Sequence, residues 1–179
     1  MSAPATLTHD DLVQRAERWL ARQGCSIVIR DPFRTVMIRE QPDAIGWQNA
    51  RNVSLLIECK VSRADFLADR QKPFRANPAE GVGNWRFYLT PEGVVQPTDL
   101  PEGWGLLWAT ARRIRAVHGV PRGNCCWVTD APFSANKSAE NQILVSALRR
   151  LALRGHLPAI YEGLPQALSQ RGDSDADLF

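Results

Sequence analysis

The sequence lacks any apolar run of membrane-spanning length, and its first residues lack the basic-then-apolar order of a secretory leader. Those absences lead us to expect a protein that stays in the cytoplasm and does not enter a membrane. Cysteine is sparse: Cys25, Cys59, Cys125 and Cys126 form no C-x-x-C and no disulfide spacing, so reduced thiols are expected. Joining His118 to Cys125 and Cys126 as a zinc site fails for want of a fourth ligand and normal spacing. Lysine is scarce too, with arginine supplying 19 of the 22 basic residues. Such a bias can reflect genome composition, so arginine abundance alone argues nothing about phosphate. There is no internal repeat, and no helix-turn-helix or zinc-finger pattern through which particular bases would be read.

What is present fits one well-buried core. The chain has 179 residues, 44% hydrophobic and 23% charged, ordinary values for a globular protein. Net charge is +3, and residues 1–170 alone carry +5, which favours a polyanionic partner without requiring one.

Along the chain, residues 1–7 are small and polar and read as a flexible end. Thr8 and Asp11 make a capping box for a helix with Leu12, Val13, Ala16, Trp19 and Leu20 on one stripe, stopped by Gly24. Cys25–Arg30 reads as a strand, and Arg34–Arg39 as a second one leading to Pro42. Trp85–Thr90, Gly105–Ala109 and an edge strand over Arg112–Val117 follow, with Arg112, Arg113 and Arg115 either facing a duplex or guarding the edge. Residues 119–133 read as loop, with Trp127 exposed or half-buried and either a base-stacking surface or a core aromatic. Ser134–Leu153 reads as an amphipathic helix burying Ile143, Leu144, Ala147, Leu148 and Leu151. Residues 156–179 form a polar tail, acidic and partly disordered.

The chemistry concentrates between Glu40 and Arg75. Val53–Ile57 is an apolar run that reads as a strand buried on both faces. At its end Glu58 and Lys60, two residues apart, project from one face while Cys59 points to the other. Desolvating a carboxylate and an ammonium there is costly unless something uses them. Asp43–Trp47 can pair with that strand as a hairpin, bringing Asp43 to the same end. Two carboxylates with the main-chain carbonyl of Cys59 suit a hard divalent cation such as Mg²⁺, which polarises a phosphate and acidifies a bound water. Lys60 would orient that water or stabilise developing charge. Glu40, three residues from Asp43, could supply a further ligand but is read as a solvated strand-end charge. Ser62 and Asp65 form a second capping box opening a helix to about Gln71, with Phe66 and Leu67 toward the core. A basic cluster of Arg70, Lys72 and Arg75 leads into a Pro73–Gly83 loop read as either DNA-contacting, gating or a solvated connection.

The string Pro42-Asp43-Ala44-Ile45-Gly46 with Ile57-Glu58-Cys59-Lys60 resembles the PD-(D/E)XK nuclease superfamily. The continuation from Lys60 to Arg70, with Arg86–Val94 and Leu100–Trp108, resembles the MmcB-related DNA-repair proteins and their phage-borne relatives. The resemblance covers roughly Thr8–Ala109 and implies an α/β restriction-endonuclease-like fold; we expect one domain over residues 8–155, a central mixed sheet flanked by helices, with the Ser62 helix on one face and the C-terminal helix on the other. It further implies a metal-dependent DNA endonuclease acting in repair or phage DNA processing, with Asp43, Glu58 and Lys60 catalytic. Mg²⁺ or Mn²⁺ would sit on Asp43, Glu58 and the Cys59 carbonyl, and Glu17 matches the first-helix acid that reaches the metal in many members; the alternative is a flank glutamate paired with Arg18 or Arg22. Ser62, Arg63, Arg70, Lys72 and Arg75 become the DNA contacts. A catalytically silent module binding DNA or a host protein is the alternative function, a phage-encoded inhibitor of host defence docking through the acidic tail is a third, and a homodimer stays open.

Overall fold

The computed structural model describes residues 7–36, 38, 40–49 and 51–162, so most of the expected flexible N-terminus and the end of the acidic tail lie outside the described residues. The chain divides into two compact units, Met1–Gln142 and Ile143–Phe179.

In the first unit, helix α1 (His9–Arg22) starts at the expected cap. The Thr8 hydroxyl accepts from the Asp11 N–H at 3.2 Å and the Asp11 carboxylate accepts from the Thr8 N–H at 2.9 Å. Its apolar stripe, Leu12 to Leu20, is buried. Six strands follow: β1 (Cys25–Arg30), β2 (Ala44–Gln48), β3 (Val53–Cys59), β4 (Trp85–Pro91), β5 (Gly105–Ala109) and β6 (Ile114–His118). They lie in that order in one mixed sheet. β1, β2 and β3 pair antiparallel, β3, β4 and β5 parallel, and β6 returns antiparallel. The parallel step from β3 to β4 needs a crossover, supplied by α2 (Arg63–Arg70), α3 (Pro73–Ala76) and a 3-10 turn at Pro78–Glu80. A short helix α4 (Cys126–Thr129) and then α5 (Lys137–Leu153) complete the helices.

Strand alternation sorts the sheet into two faces. Val53, Leu55, Ile57, Cys59, Trp85, Phe87 and Leu89 meet the α1 stripe in one core, with Trp19 edge-on to Phe87 at 5.4 Å between ring centres. Ser54, Leu56, Glu58, Arg86 and Tyr88 face the other way. There Phe66 of α2 meets Tyr88 edge-on at 4.8 Å, and Tyr88 stacks on Trp104 at 4.4 Å. The class is therefore α/β, a six-stranded mixed sheet with helices on both faces.

Five expectations need correction. Residues 34–39 form no strand among those described; the Gln41 side chain binds the main chain of Thr35 from both its oxygen and its nitrogen, occupying groups a ladder would need. The face opposite the Ser62 helix belongs to α1, whereas the first turn of α5 sits on the same face as α2. Its anchor is Glu140, which accepts from the Ser54 hydroxyl at 2.6 Å, the Gly83 N–H at 2.9 Å and the Trp47 indole at 3.1 Å. Leu67 stands exposed, because the helical period that buries Phe66 buries Asp69 three residues on. In the second unit Leu148 and Leu151, expected on a buried stripe, are also exposed. Trp127 is buried in the α1 core rather than exposed or half-buried, so of its two readings the core aromatic holds and base stacking falls away.

Gly105 lies opposite Phe87 in the β4–β5 register, and a Cβ there would overlap the Phe87 ring. Gly105→Ala should therefore lower stability by about 1–3 kcal/mol through overpacking, seen as a lower urea midpoint. A midpoint equal to that of the native protein would contradict this packing.

Candidate functional site

The hairpin register pairs Ala44 with Ile57, so Asp43 arrives beside the Glu58 end of β3. Its Oδ2 accepts the Cys59 N–H at 2.8 Å, locking the carboxylate onto the strand end. Alternation then sends Glu58 and Lys60 to the α2 face and Cys59 into the α1 core. Lys60 Nζ lies 2.8 Å from Glu58 Oε2, 3.6 Å from Asp43 Oδ2 and 3.3 Å from Asp69 Oδ1. The expected trio thus comes together, with Lys60 as the shared counter-ion.

Asp69 is the member that sequence reasoning missed. It is 1% exposed and takes Lys72 at 2.6 Å, Arg75 at 2.9 Å and the Tyr88 hydroxyl at 2.9 Å. The usable signal is periodic: Phe66 points inward, and residue 69 shares its helix face. His9, at the start of α1, also joins, with Nε2 3.4 Å from Asp43 Oδ1.

Arg75 and Glu40 depart most from expectation. Glu40 is 3% exposed rather than solvated; it pairs with Arg75 Nη1 and accepts the Val82 N–H at 2.9 Å. The Arg75 guanidinium reaches inward to Glu58 Oε1 at 3.0 Å as well as to Asp69, and lies 4.7 Å over the Trp104 ring. It is an internal brace, and the expected DNA contact at Arg75 is withdrawn on that geometry. The loop before β4 is pinned in turn: buried Arg86 donates to the carbonyls of Pro78, Gly81 and Gly83. Gly81, Val82 and Gly83 are buried or nearly so along this stretch, with Val82 fully enclosed, so this part of the loop does not project into solvent.

The remaining candidates sit around the rim. Ser62 caps α2 by accepting the Asp65 N–H at 3.2 Å. Arg63 grips Asp99 through both terminal nitrogens at 2.6 and 2.7 Å, and Arg70 donates to the Asp99 carbonyl at 3.0 Å. Both arginines are exposed and tie α2 to the turn before β5. Glu17 pairs with Arg30 at 2.6 Å, not with Arg18, Arg22 or the acidic group.

Burial sets the electrostatics. It pushes the Glu58 carboxyl up to about 7, with Asp43 and Asp69 adding to the rise and Lys60 and Arg75 opposing it. Burial also works against the Lys60 ammonium, but Glu58 and Asp43 outweigh it and hold the amine above its ordinary range. At Asp69 burial is likewise overcome, here by Arg75, Lys72 and Lys60, which hold the carboxyl well below the usual range.

Asp43 and Glu58 supply hard oxygen donors of the kind Mg²⁺ takes, and by donor chemistry the pair fits such an ion. Among the described residues, however, no group of three or more histidine, cysteine, aspartate or glutamate side chains is arranged to hold a metal. Lys60 supplies the positive charge between the two carboxylates. A shallow concavity of about 400 Å³ opens over Lys60, Asp69 and Lys72, with His9 and Val61 on its wall. Glu58, 2% exposed, lies beneath it.

No family model matches the chain, and no curated protein matches it. Among solved structures it is similar to the SPO1766 protein of unknown function from Silicibacter pomeroyi, with 23% identity and a TM-score of 0.54. The match covers 84% of this chain and 93% of that one. At that identity the likeness speaks to the fold alone. No helix among the described residues is long and apolar enough to cross a membrane.

Glu58 gives the site a pH signature. Unfolded, it titrates near 4.5; folded, it keeps its proton up to about 7. Within that window the folded state binds more protons, so its contribution to stability falls as pH rises. Asp69 acts in the opposite sense, with its stabilisation lost only below the ordinary carboxylate range. Glu58→Gln should therefore flatten the decline in urea midpoint between about pH 5 and about pH 7. Parallel profiles for the variant and the native protein would contradict the assignment.

Proposed function

We propose that the protein is a divalent-metal-dependent DNA endonuclease, hydrolysing phosphodiester bonds in DNA repair or phage DNA processing. The observation that supports this reading is the convergence of Asp43, Glu58 and Lys60 at one sheet edge, with Lys60 within 3.6 Å of both carboxylates. Asp43 and Glu58, with the Cys59 carbonyl, would hold Mg²⁺ or Mn²⁺. Such an ion supplies polarisation of the phosphate and a more acidic bound water. Lys60 supplies positive charge beside the scissile group, where charge develops. Lys72 lines the concavity and Ser62 and Arg63 stand at the start of α2, where phosphate oxygens meet favourable charge and main-chain donors, while Arg70, in the last turn of that helix, would add charge farther along.

The test is nicking or linearisation of a plasmid in Mg²⁺ against EDTA. Asp43→Ala and Lys60→Ala should each lower the rate by ~100-fold or more. Cleavage that persists unchanged in both variants rejects the assignment.

A second reading is favoured by a specific observation: Lys60, Lys72 and Arg75 already neutralise most of the charge on Glu40, Asp43, Glu58 and Asp69. A nuclease-fold module that binds DNA or a host protein without cleaving would look the same. It requires equal DNA binding in EDTA and Mg²⁺, with no turnover on any DNA.

A further inference from the structure

On the α1 side of the sheet a concavity of about 200 Å³ is lined by Arg15, Arg18, Arg22, Arg112 and Arg113, over a floor of Trp19 and Ile114. Arg15, Arg18 and Arg22 recur at helical spacing on α1, while Arg112 and Arg113 come from the β5–β6 turn. Five guanidiniums around one hollow repel each other unless counter-charge is present. Among the described residues none of the five is in an ion pair. Their side-chain hydrogen bonds go only to main-chain carbonyls, Arg15 to Thr110 at 2.6 Å and Arg18 to Gln14 at 3.2 Å.

An arginine-rich composition does not account for this. Elsewhere exposed or half-exposed arginines do take carboxylates: Arg30 takes Glu17, Arg34 takes Asp31, Arg63 takes Asp99 and Arg115 takes Glu92. Only Arg22, in the last turn of α1, has a local explanation in the helix dipole. Among the described residues Arg51 and Arg122 also have no carboxylate in an ion pair, so what sets this place apart is that five such guanidiniums gather around one hollow.

The hollow is also connected to the candidate site. A second, larger concavity of about 910 Å³ shares Arg15 with it. That concavity runs past Val94 and Pro91 to Val61 and His9, the two residues that also wall the hollow over Lys60. β3, β4 and β5 are parallel, so their C-terminal ends, Cys59, Pro91 and Ala109, lie along one sheet edge. The continuous surface thus passes from the acidic group, over a largely apolar stretch, to the arginines.

We propose that the arginine hollow binds the sugar-phosphate backbone of a nucleic-acid strand whose neighbouring segment lies over Lys60. The inference rests on the nucleic-acid reading above and adds a second binding region to it. Guanidiniums match phosphate in geometry and charge, and the apolar stretch between suits unstacked bases or sugars. One strand of a duplex and a free single strand share this chemistry.

The experiment is fluorescence anisotropy in EDTA with a labelled oligodeoxythymidylate of about 16 nucleotides, and in parallel a duplex of equal length. The variant carries Arg18→Gln, Arg22→Gln, Arg112→Gln and Arg113→Gln; circular dichroism verifies its fold. Arg51→Gln, on the β2–β3 turn at the far end of the sheet, is the control. A fall in affinity of roughly 10-fold or more for either probe supports the proposal, as does a salt dependence shallower by about 0.7 for each phosphate that the variant no longer neutralises. The probe affected identifies the source of the strand. Binding by the variant equal to that of the native protein and the Arg51→Gln control overturns it, as does absence of binding by the native protein at low salt. Because no metal is present, this outcome is separate from the cleavage test. Arginine-dependent binding without cleavage keeps the tract and removes the nuclease; cleavage by the variant at full rate with unchanged binding does the reverse.

Discussion

The buried ammonium of Lys60 holds the arrangement together. It sits at the end of a strand whose seven residues are all buried, within 3.6 Å of three carboxylates from three elements: the approach to β2, β3 itself and α2. Buried carboxylates this close repel one another and lose hydration, and cationic partners are the usual remedy. Removing one partner from such a group typically costs about 3–5 kcal/mol, because the rest is left uncompensated. The requirement also fixes positions. Asp43 is tied to the Cys59 N–H, Asp69 to Tyr88, and Arg75 to Glu40, Glu58 and Asp69.

That network explains why the crossover between β3 and β4 is not a loose loop. Arg75 reaches back under α2, Glu40 catches the Val82 N–H, and Arg86 collects three carbonyls of the 78–83 segment. Burial of Glu58, which is 2% exposed, raises its proton affinity, while the charge of Arg75 opposes that rise. A site closed in this way has most of its charge neutralised without any external ion. Any divalent cation seated on Asp43 and Glu58 has to compete with Lys60 for Glu58 Oε2, and below neutral pH with a proton as well.

The sheet and the trio are legible in the sequence because both follow short-range rules. An apolar run ending in Glu-x-Lys puts two charges on one strand face, and a hairpin brings Asp43 alongside; alternation alone carries that inference. The Thr8–Asp11 cap and the α1 stripe are equally local. What escapes depends on long-range partners. Glu40 and Arg75 lie 35 residues apart and meet only after the crossover has folded, so each reads as a surface charge. Asp69 is hidden by its polarity, although its spacing from Phe66 announces an inward position. The arginine hollow is invisible for the same reason: Arg18 and Arg112 share a surface only through the pairing of β4, β5 and β6 beneath α1. Counting arginines cannot reveal which of them lack carboxylates.

The central proposal is that a divalent cation can bind Asp43 and Glu58, the carboxylates that Lys60 now bridges. Anomalous diffraction from a crystal soaked in Mn²⁺ tests it most directly, since the metal is seen whatever the substrate. The account predicts a peak in contact with the Asp43 and Glu58 carboxylates, with Lys60 Nζ withdrawn from Glu58. A crystal without such a peak, in which Lys60 still bridges Asp43 and Glu58, would contradict it.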